Sequence, residues 1–390
     1  MPHFGDIQSE IFLRGLGGQR PELPMSAEGL EHAARSALSP EAFGYVAGGA
    51  SSERTVAANR EAFGRHRIVP RMLRGITERE LSTTLLGTPM SAPVLTAPVG
   101  ALGLVHPDAD RAVINAAATI GVTSVLSTAS STSIEDVAAA APDAQRWFQL
   151  YWPRDPELAE SLVRRAEQAD NRAIVVTVDT WALGWRPRDL ELAHLPFLHA
   201  EGIANYLSDP VFRSRLAEPP ESSDEAMQAA VLTWAGLFGN PELTFSDLTL
   251  LREWTSLPIL VKGVCHPDDA RAALDAGADG IVVSNHGGRQ VDGARGALDC
   301  LPAVVGAVDD RGPVLFDSGI RCGADVLVAL ALGARAVLLG RPWIYGLGLA
   351  GERGVTDVLR ALLADLDLTL ALSGHARPDE LSVESVITEA

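Results

Sequence analysis

The stretch "PILVKGVCHPDDARAALDAGADGIVVSNHGGRQ", Pro258 to Gln290, decides the fold. Two apolar, β-branched runs, "PILVKG" (Pro258 to Gly263) and "GIVVSN" (Gly280 to Asn285), flank "HPDDARAALDAG". The middle segment has an acidic start, helical spacing and a glycine stop, so it reads as an amphipathic helix. Near-continuous apolar strands are buried on both faces, as parallel strands are. The second strand stops abruptly on Ser284, Asn285 and His286, followed by two glycines and Arg289. A chain turning a corner needs a glycine or an asparagine and nothing more. The imidazole and the guanidinium call for another reason.

The same unit recurs along the chain. Further strands are expected at "PVLTAP" (Pro93 to Pro98), "TSVLST" (Thr123 to Thr128), "WFQLY" (Trp147 to Tyr151) and "AIVVTVD" (Ala173 to Asp179). After the first quoted pair come "PVLFDSG" (Pro313 to Gly319) and "AVLLGRP" (Ala336 to Pro342). Segments such as "DPELAESLVRRAEQAD" supply the intervening helices. Eight strand–helix units point to an α/β fold, a TIM-type (β/α)8 barrel. An open doubly wound sheet fits less well, because eight regular units suit closure and no nucleotide fingerprint follows the first strand.

We expect one domain over residues 1–390, with the barrel at 93–371. Residues 1–92 read as an N-terminal helical cap, with helices at "EGLEHAARSAL" and "ERTVAANREAF". Residues 190–257, between the fourth and fifth strands, are far longer than an ordinary βα loop and form a candidate lid. Their centre, "AEPPESSDEAMQ", is rich in proline, serine and acid, so part of it is expected to be mobile. Residues 372–390 form a C-terminal tail.

Bulk properties narrow the function. A chain of 390 residues at 47% hydrophobic buries a full-sized core. Its formal charge of -18 repels nucleic acid and acidic membranes, so any anion site must be a local cluster. Three cysteines form no disulfide framework. The start lacks a basic segment followed by an apolar run, and apolar stretches break well before about 20 residues. The expectation is a soluble, cytoplasmic protein with no membrane or nucleic-acid partner.

Barrel enzymes build their sites from the C-terminal ends of strands. In order, those ends carry Pro98, Ser127 with Thr128, Gln149 with Tyr151, Thr177 with Asp179, Lys262, His286, Asp317 with Gly319, and Gly340 with Arg341. Singly, Ser127, Thr128 and Asp317 are best explained as caps or turns. Jointly, a ring of polar groups at one barrel mouth is functional. Other matches are weak. "GLGLAG" (Gly346 to Gly351) has no second βαβ strand after it, so it is no dinucleotide site. Cys265 and His266 lack a second ligand pair, so no metal is expected; Pro267 starting a helix explains them better. No H-E-x-x-H or G-x-S-x-G occurs. "LVALALGA" is core.

"SNHGGRQ", with "TVDTWALGWRPRD", "FQLYW", "ILVKG" and "FDSGIRCGADVLVALALGARAVLLGRP", closely resembles the FMN-dependent 2-hydroxy acid oxidase/dehydrogenase family, nearly end to end. Within it, "FGDIQSEI", "LPMSAEGLE", "YVAGG", "GWRPRD", "LPFL" and "DPVF" are most similar to the lactate 2-monooxygenase branch. The resemblance implies FMN as cofactor, a small 2-hydroxy acid and dioxygen as reactants, and a homo-tetramer or octamer. Arg186 and Arg289 would grip the carboxylate, because guanidinium pairs bidentately with that planar anion. His286 would accept a proton, held by Asp179. Tyr45 and Tyr151 would bond the hydroxyl oxygen. Lys262 would stabilise negative charge on the flavin. Ser127, Thr128, Gln149, Thr177 and Ser284 would serve the flavin's ring system, with the backbone of Ala97, Pro98 and Val99. Asp317 and Ser318 suit the ribityl chain; Gly319, Arg321, Gly340 and Arg341 suit the phosphate.

The chain departs from plant-type members, which have a tryptophan where Ala129 stands, and Gly100 adds no bulk beside the site. Substrates larger than lactate would fit. Competing readings are an oxidase releasing keto acid and hydrogen peroxide, a family dehydrogenase passing electrons to a quinone or protein, a flavin-free binding barrel, and a phosphate-binding isomerase. The last would not need two arginines beside His286.

Overall fold

Twelve short strands occur in the computed structural model, which describes residues 3–389. In chain order they are β1 (His66–Ile68), β2 (Thr83–Leu85), β3 (Thr88–Met90), β4 (Val94–Thr96), β5 (Thr123–Ser127) and β6 (Arg146–Leu150). There follow β7 (Ile174–Thr177), β8 (Ile259–Val264), β9 (Gly280–Val283), β10 (Val314–Phe316), β11 (Ala336–Leu339) and β12 (Val386–Thr388). Strands β4 to β11 close a parallel barrel in sequence order, with β11 pairing back onto β4. All eight expected strands are present, and the fold is the (β/α)8 barrel.

Local chemistry explains the helices between them. Asp155 caps the helix Pro156–Gln168 by accepting from the amides of Glu157 and Leu158, with Pro156 pre-set at the first position. His266 accepts from the amide of Asp268 ahead of Pro267, so the Cys265–His266 pair does begin a helix. "LVALALGA" lies in and after the buried helix Gly323–Ala331. "GLGLAG" lies inside the helix Arg341–Leu372, which kinks at Ala350 and Gly351.

The barrel interior is dry at its floor. One residue from each strand packs there: Leu95, Val125, Trp147, Val175, Leu260, Val282, Leu315 and Leu338. The β2–β3 hairpin plugs the lower end with Leu85 and Met90, and the Trp147 indole donates to Thr88 Oγ1 at 3.1 Å. The cap is therefore not helical throughout. Residues 66–90 hold three short strands, and β1 pairs antiparallel with β12 near the C-terminus. These runs of three residues are too short for periodicity to reveal. The turn at Leu86 and Gly87, both with positive φ, is the kind that joins hairpin strands.

The insertion packs as a set of short helices around an aromatic cluster of Phe197, Tyr206, Trp234 and Phe238. Buried Asp209 pairs with Arg165 at 2.9 Å. The Asn205 amide donates to the carbonyls of Ser127 and Thr128 at the end of β5. "AEPPESSDEAMQ", expected to be partly mobile, folds instead as a 3-10 turn and the start of the helix Asp224–Leu237. Ser223 accepts from the Ala226 amide, and Asp224 and Glu225 fill the first turn. That is a capping signal the composition obscured.

Candidate active site

The His286 turn explains the glycines of the opening motif. His286 has φ +58, and Gly287 and Gly288 follow at +64 and +78. Left-handed backbone costs a residue with a Cβ roughly 1–2 kcal/mol and glycine almost nothing. A Cβ on Gly288 would also lie 2.7 Å from the Val56 amide, blocking the approach of the cap helix Arg54–Gly64. Side chains close the turn: Ser284 Oγ accepts from the His286 amide, Ser318 Oγ from Gly287, and Asn285 Oδ1 from Gly288.

His286 Nδ1 lies 2.8 Å from Asp179 Oδ1, so the carboxylate accepts from it and leaves the Nε2 lone pair for the cleft. Tyr151 stands 3.5 Å from Nε2. Burial holds His286 below its ordinary pKa despite the opposing pull of Asp179. For Asp179 burial acts upward, but the imidazole's charge and hydrogen bond outweigh it and hold the carboxyl down. His286 is thus held toward its neutral form, and Asp179 is a carboxylate ready to stabilise it when it takes a proton. Thr180 Oγ1, 3.0 Å from Nδ1, donates to Asp179 Oδ1 at 2.9 Å.

Beside this pair stand two cations. Arg186 is buried, and its pKa is pulled down to about 10 by burial and then by Arg289. Its Nη2 donates to Gln290 Oε1 at 2.8 Å, and its Nε to the Arg289 carbonyl. Arg289 donates to the carbonyls of Tyr45 and Gly48, with its guanidinium 5.0 Å from the centre of the Tyr45 ring. No carboxylate pairs with either arginine among the described residues, so the two together can hold a compact anion. Burial raises the Tyr45 and Tyr151 phenols, which stay protonated donors.

The long floor of the cleft fits a flavin mononucleotide. Gln149 Nε2 and Thr177 Oγ1 are buried without a partner, as groups awaiting a polar ring edge would be. Lys262 Nζ sits 2.9 Å from both Asp317 Oδ2 and Ser284 Oγ; burial acts against its charge, but Asp317 and Asp179 hold its pKa up. Its strand bulges at Gly263, φ +107, where a Cβ would strike Asp179 at 2.7 Å. At the far end, the Arg321 guanidinium donates only to the preceding Ile320 carbonyl among the described residues, leaving it able to hold an anion. Arg341 is held by the carbonyls of Val46, Gly48 and Gly287 and pulled down to about 9 by burial and by Arg321.

Most expected residues line this one cleft: Tyr45, Ala97, Pro98, Val99, Tyr151, Arg186, Lys262, His286, Arg289, Asp317, Ser318, Gly319, Arg321, Gly340 and Arg341. The others stand just outside that lining at the same strand ends: Asp179 and Ser284 reach the cleft through His286 and Lys262, and Gln149 and Thr177 each keep a buried polar atom unpartnered. The Thr128 hydroxyl donates to the Gln149 carbonyl and accepts from the Tyr151 amide, so it seats Tyr151. Ser127 likewise supports Gln149, donating to its Oε1 at 2.9 Å. Two residues escaped the sequence reading. One is Thr180. The other is Gln290, whose Nε2 donates to the carbonyls of Asp179 and Ala182 while its Oε1 holds Arg186. Its signal was its place directly after "HGGR", where no turn rule requires an amide.

A neutral, carboxylate-held imidazole beside paired guanidinium groups, at the mouth of a parallel barrel shaped for FMN, defines a flavin-dependent oxidoreductase of 2-hydroxy acids. Residues 34–388 match the FMN-dependent dehydrogenase family, and the chain belongs to it. It is 44% identical over 373 residues to an FMN-dependent alpha-hydroxy acid dehydrogenase of Penicillium citrinum, covering 95% of this chain and 93% of that one. It is 43% identical to an L-lactate oxidase of Lysinibacillus sphaericus, over 94% of this chain and 93% of the relative. Among solved structures, a mandelate oxidase superposes with a TM-score of 0.81 at 39% identity, over 94% of this chain and 98% of that one. FMN is the cofactor. Among the described residues no helix is long and apolar enough to cross a membrane, and no group of side chains could hold a metal.

Proposed function

We propose that the protein oxidises a short L-2-hydroxy acid with dioxygen, as a lactate 2-monooxygenase: lactate and dioxygen give acetate, carbon dioxide and water. The observation that carries the reading is the convergence of His286 Nε2, Tyr151 and the unpaired arginines Arg186 and Arg289 on one wall of the cleft. Bound FMN supplies the two-electron acceptor. Arg186 and Arg289 hold the substrate carboxylate, Tyr45 and Tyr151 bond its hydroxyl oxygen, and His286 takes the proton while Asp179 stabilises the imidazolium. Gln149, Thr177 and Lys262 hold the cofactor's ring; Arg321 and Arg341 hold its phosphate.

Decarboxylation requires that the keto acid stay while dioxygen is reduced. Phe197 and Phe238 of the insertion line the cleft together with Leu183, and exposed Trp185 stands beside Arg186 at its edge. These groups form the lid that retains the product. Under air with L-lactate, acetate without stoichiometric peroxide supports the monooxygenase. Pyruvate with one peroxide per turnover makes the enzyme a simple oxidase, the reading favoured by the lactate oxidase among its relatives. The small side chain of Ala129 leaves room at the wall, and Gly100 lets it pack close: a Cβ at Gly100 would lie 2.8 Å from Ala129 Cβ and 3.5 Å from the Tyr45 hydroxyl. A panel of larger 2-hydroxy acids, read by anaerobic flavin bleaching, ranks the substrates. We further propose a cytoplasmic homo-tetramer or octamer; a monomeric mass by light scattering counts against it.

A further inference from the structure

Gln290 closes the motif "SNHGGRQ" and uses every hydrogen-bonding position of its amide. A glutamine amide offers two N–H donors and one oxygen with two lone pairs. Nε2 donates to the carbonyls of Asp179 and Ala182, each at 2.8 Å. Oε1 accepts from Arg186 Nη2 at 2.8 Å and from the Gly184 amide at 3.3 Å. All four partners lie in one segment, 179–186, which follows β7, carries Asp179 and ends on Arg186. Gly184 lets that segment lie on the His286 turn: a Cβ there would be 2.5 Å from the Arg289 carbonyl and 2.7 Å from the Gln290 carbonyl.

The partners also fix which way the amide faces. Two carbonyls can only accept, so they meet Nε2. The Arg186 guanidinium and the Gly184 N–H can only donate, so they meet Oε1. A flipped amide would set N–H groups against a buried cation. Arg186 is thus held by a neutral oxygen and, through Nε, by the Arg289 carbonyl at 3.2 Å. Neither partner carries charge. The rest of its N–H groups have no partner among the described residues, and Arg186 lines the cleft together with Arg289. A carboxylate in place of the amide would pair with the guanidinium and neutralise the charge that attracts a substrate anion.

We propose that Gln290 is the positioning residue of the anion clamp: its amide aims Arg186 into the cleft and leaves the guanidinium's charge unpaired for the substrate carboxylate. This role rests on the reading of Arg186 and Arg289 as that clamp. Gln290 itself touches neither substrate nor flavin in it. Charge separates the role from that of a simple tie between two loops, which would serve charged and uncharged substrates equally.

A 2-hydroxy acid and its primary amide share a shape and a reacting carbon, and differ in the anion. The FMN-loaded enzyme, Gln290→Met and Gln290→Glu are mixed anaerobically with L-lactate and L-lactamide, and with (S)-mandelate and (S)-mandelamide. Flavin bleaching gives a limiting rate and a half-saturating concentration for each; an amide too slow to bleach the flavin is read as an inhibitor of its acid. FMN content and denaturation midpoint report folding. Gln290→Met leaves Arg186 without its side-chain acceptor. The half-saturating concentration for the acids should rise about ten- to a hundredfold, the effect of one hydrogen bond to a charged group, while the limiting rate changes little. The amides should respond much less, so the preference for acid over amide falls. It should fall further in Gln290→Glu, whose carboxylate pairs with Arg186; if that variant does not fold, Gln290→Met decides alone. Acids and amides weakened alike, or a parental preference that survives in the folded variants, overturns the role of Gln290 and leaves the clamp standing. A parental enzyme with no preference for acids refutes the clamp itself, and this role with it.

Discussion

The floor and the mouth of the barrel are built from the same eight strands and treat polar atoms differently. At the floor the one large polar side chain, Trp147, finds Thr88 at 3.1 Å and the rest is aliphatic. At the mouth, Gln149 Nε2, Thr177 Oγ1 and Asp179 Oδ2 are buried without partners, beside cations that no carboxylate neutralises. Each such group costs of order 1–3 kcal/mol when left dry. Only Thr123 Oγ1 spoils the floor's record. The difference separates the two tasks: the floor holds the barrel together, and the mouth keeps bonding capacity for something that is not protein.

Removing the base tests the mouth most severely. His286→Gln should cut substrate-driven flavin reduction by about 10²- to 10⁴-fold, with FMN still bound by absorbance. Near-normal reduction would misassign the base. At the floor, Trp147→Ala should cost about 3–5 kcal/mol of stability, read as a lower denaturation midpoint, while the folded fraction reduces its flavin at the parental rate. A variant with unchanged stability and lost chemistry would erase the distinction.

Smaller changes sharpen it. Arg289→Lys loses the fork geometry and should weaken substrate binding by about 1.5–3 kcal/mol, as charged hydrogen bonds do; an unchanged KM would count against the clamp. Ala129→Trp should depress kcat/KM for bulky 2-hydroxy acids more than for lactate, by about 1–3 kcal/mol of discrimination. Equal losses would place the substrate side chain elsewhere.

The smallest effects are in pH. The proposed base, His286, has a lowered pKa and would act neutral, so kcat/KM should persist below an ordinary imidazole's value of about 6.5 before falling. Asp110, which accepts from the amides of Ser131 and Thr132, is pushed up to about 7 by burial. The native state then holds a proton the unfolded chain has lost, so this group takes stability away as pH rises from about 4 to 7. Asp110→Asn should flatten that slope in denaturation midpoints measured across the range.

What could be read in advance follows the same division. The strands were legible because buried parallel strands are unbroken apolar runs, and their polar ends stood out against them. The hairpin Thr83–Met90 was not, because three-residue strands carry no period. His286, Asp179 and Arg289 stood out as polar groups without a structural reason, whereas Arg186 came only with the family resemblance. Thr128 reads singly as a cap or turn and goes to the flavin only by resemblance; its hydroxyl bonds the backbone, and type alone cannot show where a hydroxyl points. Gln290 joins Asp179, Ala182 and Arg186 across more than a hundred positions of sequence, a relation that exists only after folding.

The carbonyls of Tyr45, Val46 and Gly48 are held by Arg289 and Arg341, and the Arg341–Val46 bond spans 295 residues. During synthesis the tyrosine emerges early and its anchors very late. Loop closure over such a span is slow and must precede any reward from the contact. A ribosome-bound chain halted before Arg341 thus has Arg289 for the Tyr45 carbonyl but nothing for the Val46 carbonyl, and its pocket lacks a wall. The pocket is complete only once β11 and Arg341 behind it are in place.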